Sequence, residues 1–543
     1  MELIAAFLPG KERVLFDSTP VLYSGLLTVV FFIVFFFDKE NSKKSKTAFG
    51  IIIAFLVISF FVKPLYFALH MFNNPDGYMG RYAFLISFIM CLIAVIESDN
   101  IINKLKKGRV IVYFAFICMI VELIYSAFCM SKSYQKDDIA YYNYSKEEAT
   151  QVASILNETD DDVYRILYLN SDNINLSCLY DFMYLSSYSS AGSNKQYSLL
   201  NNLGFARSAN LLREFGSTDI IRSLFDVKYI VTGADLTEKT NLSFEKNDNC
   251  LAIGYMVKDY IKDADLEEGN VFENINSLIY GISGMENAFK LVDDTTVVPV
   301  NLAINMDDGY LTLVKENEDA YARFVAIAPK NKKVYSYFDN IYESNVWGLS
   351  PRIVSKADNI RYRKFESHCS DPHILLMDEA EDFYYNDIVF DDYSDKEVSF
   401  DNILFYYCDN DLSYEIYNEV KDNQFLVEEF EDGYVKGKVK ATKDKNILFF
   451  TIPYENGWNV YVDGNKENII PLVDENFIGV ELEEGEHTIE LKFNAPLSNL
   501  GLCLTIVEII LLIIQIIFFR KEIWQIVQAF WFKFIKIIST FTL

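Results

Sequence analysis

The sequence predicts a membrane α-helical protein of about five transmembrane helices joined to a large extracytoplasmic α+β region that ends in an antiparallel β-sandwich. Three observations lead there. Apolar residues make up 51% of the 543 and aromatics 15%, and they gather in five runs near the length a helix needs to cross ~30 Å of hydrocarbon. Basic clusters flank those runs on alternate sides. Between the fourth and fifth runs lies an acidic stretch patterned as strand, turn, strand.

The runs are Pro20–Phe37, Thr47–Val62, Tyr82–Ile96 (a span over 82–98 with its flank), Val110–Met130 and Asn499–Phe519. Any one of them alone would pass for a buried core helix, but five bounded by charge predict a membrane region over 1–130 and a closing span over 497–520. Lys39, Lys43, Lys44 and Lys46 separate the first two runs. Lys104, Lys106, Lys107 and Arg109 separate the third and fourth, and Arg520 and Lys521 follow the fifth. Basic residues mark the cytoplasmic side. The N-terminal segment, the connection 63–81 and the stretch 131–496 are therefore expected outside, and the C-terminus in the cytoplasm. Met1–Thr19 shows no signal peptide, because Lys11, Glu12 and Arg13 interrupt any apolar core. It reads as an external loop whose preceding helix is missing, as in a truncated or split reading frame.

Charge follows the same division. Of 49 Lys+Arg, 33 lie in 131–496; of 77 Asp+Glu, 66 do. That stretch carries 33 − 66 = −33, and the remainder 16 − 11 = +5. So acidic a surface excludes nucleic acid as its partner.

The stretch divides by texture into a mixed α/β domain over 131–300 and a β-sandwich domain over 301–496. In the first, Val163–Leu169 reads as a strand. Tyr197–Phe205 and Thr218–Phe225 have helical spacing, and Val227–Val231 reads as a buried strand. In the second, Tyr434–Ala441 and Trp458–Val462 alternate, Ile447–Pro453 is continuously apolar, and Asp463-Gly464 is a hairpin turn. After Lys521 an aromatic tail (Trp524, Phe530, Trp531, Phe532, Phe534) with Lys533 and Lys536 suits a helix lying in the membrane interface.

Two segments carry a resemblance. Ile452–Val480 (IPYENGWNVYVDGNKENIIPLVDENFIGV) with Leu482–Phe493 (LEEGEHTIELKF) is similar to the C-terminal part of the bacterial YfhO family of membrane proteins. Lys63–Phe88, Arg222–Val231 (RSLFDVKYIV) and the helix after Leu497 fit the same family in the same order. The resemblance implies a partial bundle of the multi-helix GT-C glycosyltransferase type. It further implies transfer of a sugar from a polyprenyl-phosphate donor to an envelope polymer such as teichoic acid, outside the membrane. Family members carry more helices ahead of the matched part, and the catalytic carboxylate is expected there, so an N-terminal half encoded separately is an expected partner. The alternatives are a non-catalytic membrane subunit whose external domain binds envelope glycan, and a transporter.

Transfer from a lipid-linked sugar needs a cation on the leaving phosphate and a carboxylate on the acceptor hydroxyl, both at the membrane surface. The connection 63–81 offers that place. Arg81 is the first candidate for the lipid phosphate, since a guanidinium matches phosphate oxygens at two points. His70 and Lys63 would assist, with Asp76 between them; the competing reading of Arg81 and Lys63 is as interfacial anchors. Glu122 and Glu508 fall inside apolar runs, where acids line cavities or pair helices; the structural role is preferred for both. Trp458, Tyr461 and Asp463 are candidates for a sugar platform, against a core tryptophan and a plain turn; the cluster Tyr184–Ser190 is a weaker one. His368, Cys369 and His373 lack zinc spacing, so no metal is assigned, no cofactor is identified, and a divalent cation is left open. The eight cysteines include Cys178, Cys250, Cys369 and Cys408 in the external stretch, enough for two disulfides whose pairing spacing does not fix.

Overall fold

The computed structural model describes residues 22–72, 81–104, 108–133, 146–147, 149–156, 162–169, 175, 178, 180, 182–189, 192–208, 211–213, 216–232, 243–266, 270–307, 310–343, 352–354, 363–364, 373–390 and 397–521. The segment 1–19, Asp76, His368, Cys369 and the tail beyond Lys521 lie outside them; for Arg81 and His373 only the backbone is described. The chain divides into two compact units, Met1–Asn143 with Ile510–Leu543, and Tyr144–Ile509.

The first unit is helical. Helix α1 is Leu26–Phe37, α2 Lys43–Ser59, α3 Lys63–Leu69, α4 Phe84–Lys104 and α5 Gly108–Ser133. Among the described residues one helix is long and apolar enough to cross a membrane, and it is the closing one, Ser498–Phe518. The expected five-span bundle, and with it the GT-C-like architecture, is therefore corrected, for reasons local to each run. Gly25, at φ 98, delays α1 to Leu26, and 12 residues reach only ~18 Å. The second run breaks after Ser59, and α3 leaves α2 at 103°, with Pro64 in its first turn. In α4 the apolar portion is Phe84–Ser98, and in α5 it is Ile117–Cys129. A small core of Leu22, Leu56, Tyr82, Ala83, Ile86 and Met90 holds the α1, α2 and α4 region together.

The second unit is built mainly of sheets. Met183–Tyr184, Arg165–Leu169 and Val227–Thr232 pair in parallel, and Ser243–Lys246 adds antiparallel. Helix Asp219–Leu224 feeds the buried strand Val227–Thr232, started by Thr218, whose Oγ1 accepts the Ile221 N–H.

In place of one sandwich over 301–496, two separate pairs of sheets form. The first pair spans Lys290 to Asp409 and closes over Leu313, Phe324, Phe338, Ile388 and Phe400. Strands Ala320–Ala326 and Tyr384–Phe390 alternate strictly between buried and half-buried, as the pleat requires. The second pair sets the sheet Leu426–Glu431, Tyr434–Ala441, Gly485–Phe493, Trp458–Val462, Asn465–Glu467 against the sheet Ile470–Leu472, Phe477–Glu481, Ile447–Pro453, Gly254–Val257. That last strand comes from the segment assigned by sequence to the other domain, so the boundary at 300 does not separate two cores. Gly437 is dictated by the close pairing here, since a Cβ would sit 2.2 Å from the Leu426 carbonyl oxygen.

Helix Val271–Ser283 belongs to the largest core. Asn270 caps its first turn, and Gly284, at φ 79, ends it. Phe272 stacks on Tyr406 from one sheet pair, while Val271, Ile275 and Ile279 share the core with Tyr255, Phe449 and Phe477 from the other.

Candidate functional site

The bend between α2 and α3 gathers an aromatic and polar cluster. Helix α3 is seven residues long and ends at His70, and Met71 and Phe72 follow in left-handed backbone, at φ 56 and 62. Two consecutive non-glycine residues in that region are costly and cluster at functional places. The His70 ring lies 4.3 Å from that of Tyr66 and 5.3 Å from that of Tyr82, centroid to centroid. Tyr82 stacks on Phe60 at 4.8 Å, and its hydroxyl shares a 2.9 Å hydrogen bond with Ser59. His70 Nδ1 sits 2.9 Å from the Tyr66 carbonyl oxygen. His70 Nε2 and the Tyr66 hydroxyl are both buried with no hydrogen-bond partner among the described residues.

The residues proposed for the lipid phosphate are not all brought together. Lys63 opens α3 and His70 closes it, so about 10 Å of helix separates them; Lys63 is exposed. Arg81 begins the short 3-10 turn Arg81–Ala83 that leads into α4, next in sequence to Tyr82.

Glu122 takes a structural role. Its Oε1 accepts the Leu26 N–H at 2.8 Å, placing a carboxylate on the first turn of α1, where the helix dipole favours it. Glu508 is exposed on the closing helix. Sequence reading missed Glu97, which is fully buried. Its Oε2 accepts from Asn41 Nδ2 at 2.5 Å and Asn100 Nδ2 at 3.4 Å, while Oε1 has no partner among the described residues. The only sequence signal was an acid interrupting the end of an apolar run.

In the second unit the expected sugar platform comes apart. Trp458 packs its ring 5.2 Å from Phe493 and borders the core that holds Val460. Tyr461 faces the other side of the strand, with Lys492 Nζ 5.0 Å from its ring centroid. Asp463 and Gly464, at φ 52 and 83, make the hairpin turn. The Asp463 carboxylate is used within it, accepting the Thr488 N–H at 2.9 Å and lying 2.8 Å from His487 Nδ1. Those bonds hold Asp463 below the usual carboxylate range.

A half-buried arginine and a buried aspartate that the sequence did not flag meet at the start of the parallel sheet. Arg165, at the start of its strand, donates to the Phe225 carbonyl at 3.0 Å and to Thr451 Oγ1 and carbonyl, each at 3.1 Å. Asp226 is 3% exposed and sits at φ 61 between the helix and the strand. Cys250 Sγ lies 3.7 Å from its Oδ1, and Oδ2 has no partner among the described residues. Burial pushes the Asp226 carboxyl up to about 8, against the opposing pull of Arg165. This Asp stands in the RSLFDVKYIV segment, so the motif marks a strained, buried junction. Nearby, Asp219 in the first turn of its helix pairs with Lys333 and accepts from Tyr335 at 2.8 Å.

Among the described residues no cluster of three His, Cys, Asp or Glu side chains is placed to hold a metal ion. Cys178, Cys250 and Cys408 are free thiols.

The family model of the bacterial membrane protein YfhO matches residues 1–136 and 100–505. The chain belongs to the YfhO family. It is a bacterial membrane protein by that membership, and the closing helix Ser498–Phe518 is long and apolar enough to cross a membrane. No curated protein matches this YfhO-family chain. Among solved structures, a conserved protein of unknown function from Pseudomonas aeruginosa PAO1 shares 10% identity over 38% of this chain and 92% of that one, at a TM-score of 0.11. An arabinose-bound α-L-arabinofuranosidase shares 7% identity over 30% of this chain and 27% of that one, at a TM-score of 0.13. Likenesses at that level carry no argument about fold or function.

Proposed function

We propose that this YfhO-family protein acts in glycosyl transfer at the bacterial envelope, moving a sugar from a polyprenyl-phosphate donor to a surface polymer such as teichoic acid. The observation that carries the reading is the family match over nearly the whole chain, helices and sheets included. The polarity of the closing helix agrees with it. Arg520 and Lys521 follow its C-terminal end, which the preference of basic residues for the cytoplasm places inside, and the acidic sheet unit before it then lies outside. The membrane lipid, the lipid-linked sugar and the glycopolymer are the partners this reading requires.

The test is chemical analysis of the envelope. Deleting the chain from its host is expected to remove a sugar substituent from a wall or membrane polymer, seen as a mass loss of one glycosyl unit per decorated repeat. Re-expressing the chain restores it. A polymer unchanged in every glycosyl substituent would defeat the proposal.

A further inference from the structure

His70 was expected from sequence to assist a phosphate as a cation, and its hydrogen bonding argues for a different ligand. A backbone carbonyl only accepts, so the 2.9 Å contact between His70 Nδ1 and the Tyr66 oxygen requires the proton on Nδ1. In the neutral ring, Nε2 is then a lone pair. It is buried without a partner, and so is the Tyr66 hydroxyl, a group free to donate. The two rings are neighbours, 4.3 Å apart at their centroids; both side chains are half-buried overall, while the two polar atoms themselves are closed to solvent, so a ligand enters this seat by turning a ring edge outward. Neither orphan arises from poor packing of the surroundings. The neighbouring Ser59 and Tyr82 hydroxyls satisfy each other at 2.9 Å, and Tyr82 is stacked on Phe60.

A buried acceptor beside a buried donor selects a ligand that both donates and accepts. An alcohol does so through one oxygen. A phosphodiester only accepts; it would satisfy Tyr66 while setting an anion against the Nε2 lone pair, at a cost that burial raises. The backbone supports a binding place here. The helix pair turns by 103° immediately before α3, and the two residues after His70 are held in left-handed conformation. Broken helices in membrane proteins are tolerated where the freed backbone lines a cavity or a site.

We propose that His70 Nε2 and the Tyr66 hydroxyl form a seat for an uncharged hydroxylated group, a sugar ring hydroxyl, in which His70 accepts and Tyr66 donates. The choice of a sugar over another alcohol rests on the glycosyl-transfer reading above; the acceptor–donor pair does not.

The experiment uses the full chain in lipid nanodiscs free of glycolipid, with histidine labelled by nitrogen-15. The sequence has four histidines, and His70→Gln assigns the His70 signals. The probes are octyl glucoside below its micellar concentration and octyl phosphate, which share a tail and differ in the head. We expect the His70 Nε2 resonance of the free chain at the position of an unprotonated nitrogen at pH 7.5. It should shift on titration with octyl glucoside and stay in place with octyl phosphate. Tyr66→Phe keeps the ring and removes the donor, and is expected to weaken the glucoside response about five-fold, the worth of one hydrogen bond. A protonated Nε2 in the free chain, a response to octyl phosphate instead of the glucoside, or a response to neither probe would each overturn the assignment. A glucoside response in a chain whose deletion leaves the envelope polymer unchanged would uphold the seat and remove the transferase reading. Loss of the polymer's sugar with no glucoside response would do the reverse.

Discussion

Asp226 offers the sharpest test of the physical reasoning. The carboxyl is 3% exposed, and its Oδ2 receives no donor because Arg165 spends its guanidinium on the Phe225 and Thr451 oxygens. Burial therefore raises its pKa to about 8 from the ordinary 3.8. Between those values the folded chain holds a proton that the unfolded chain has released. Stability from this group is thus greatest below pH 4 and declines as pH rises, until the folded carboxyl ionises near pH 8. Each pH unit within the window is worth about 1.4 kcal/mol, so stability falls by about 3 kcal/mol between pH 5 and pH 7 from this group alone. Asp226→Asn removes the titration and suits the left-handed backbone at φ 61, which asparagine tolerates well. The assay is urea pulse proteolysis of the full chain and of the variant in nanodiscs, at pH 5, 6, 7 and 8. The other acids titrate alike in both chains, so they cancel in the difference. The variant is expected to gain on the wild type by about 1.4 kcal/mol per unit from pH 5 to pH 7. Parallel stability curves across that range would refute the reasoning, and would mean that Asp226 is ionised against Arg165 throughout.

Three further outcomes follow from the geometry. His487 is subject to burial, which lowers its pKa, and to the Asp463 and Glu483 hydrogen bonds, which together outweigh it and raise the value. Asp463→Asn should therefore lower the His487 pKa, read by NMR titration; an unmoved value would remove the pair. Trp458→Ala, taking a large ring from the edge of its core, should cost about 3 kcal/mol of stability, whereas Tyr461→Ala on the opposite face should cost well under that. Equal losses in urea unfolding would contradict the assignment of the two faces. Glu122→Ala should destabilise the start of α1 by about 1 kcal/mol, with faster amide exchange at Leu26, and Glu122→Gln should restore most of it because the amide oxygen still accepts. Unchanged exchange in the alanine variant would deny the cap.

Local pattern carried part of the fold. Thr218 before an apolar turn announces helix Asp219–Leu224, continuous apolar residues announce Ile447–Pro453, and Asp463-Gly464 announces its hairpin, because each signal lies within a few residues. The candidate site was only half legible. His70 was flagged for its place at a helix end, but its partner Tyr66, four residues earlier, looked like one more aromatic in an apolar stretch. Asp226 and Glu97 were passed over because an acid reads as solvated until its neighbours in space are known.

By itself the sequence determined family membership, the acidic character of the central stretch and the closing apolar helix, all of which are sums or patterns along the chain. It overstated the membrane helices, since hydropathy counts apolar residues and does not register the breaks at Gly25 and after Ser59 that shorten them. Only the tertiary structure decided which cores form, for Gly254–Val257 pairs with Ile447–Pro453 across nearly two hundred residues. It likewise decided which polar atoms are left without partners. Burial and hydrogen bonding depend on contacts between distant segments, and no window of sequence contains both sides of such a contact.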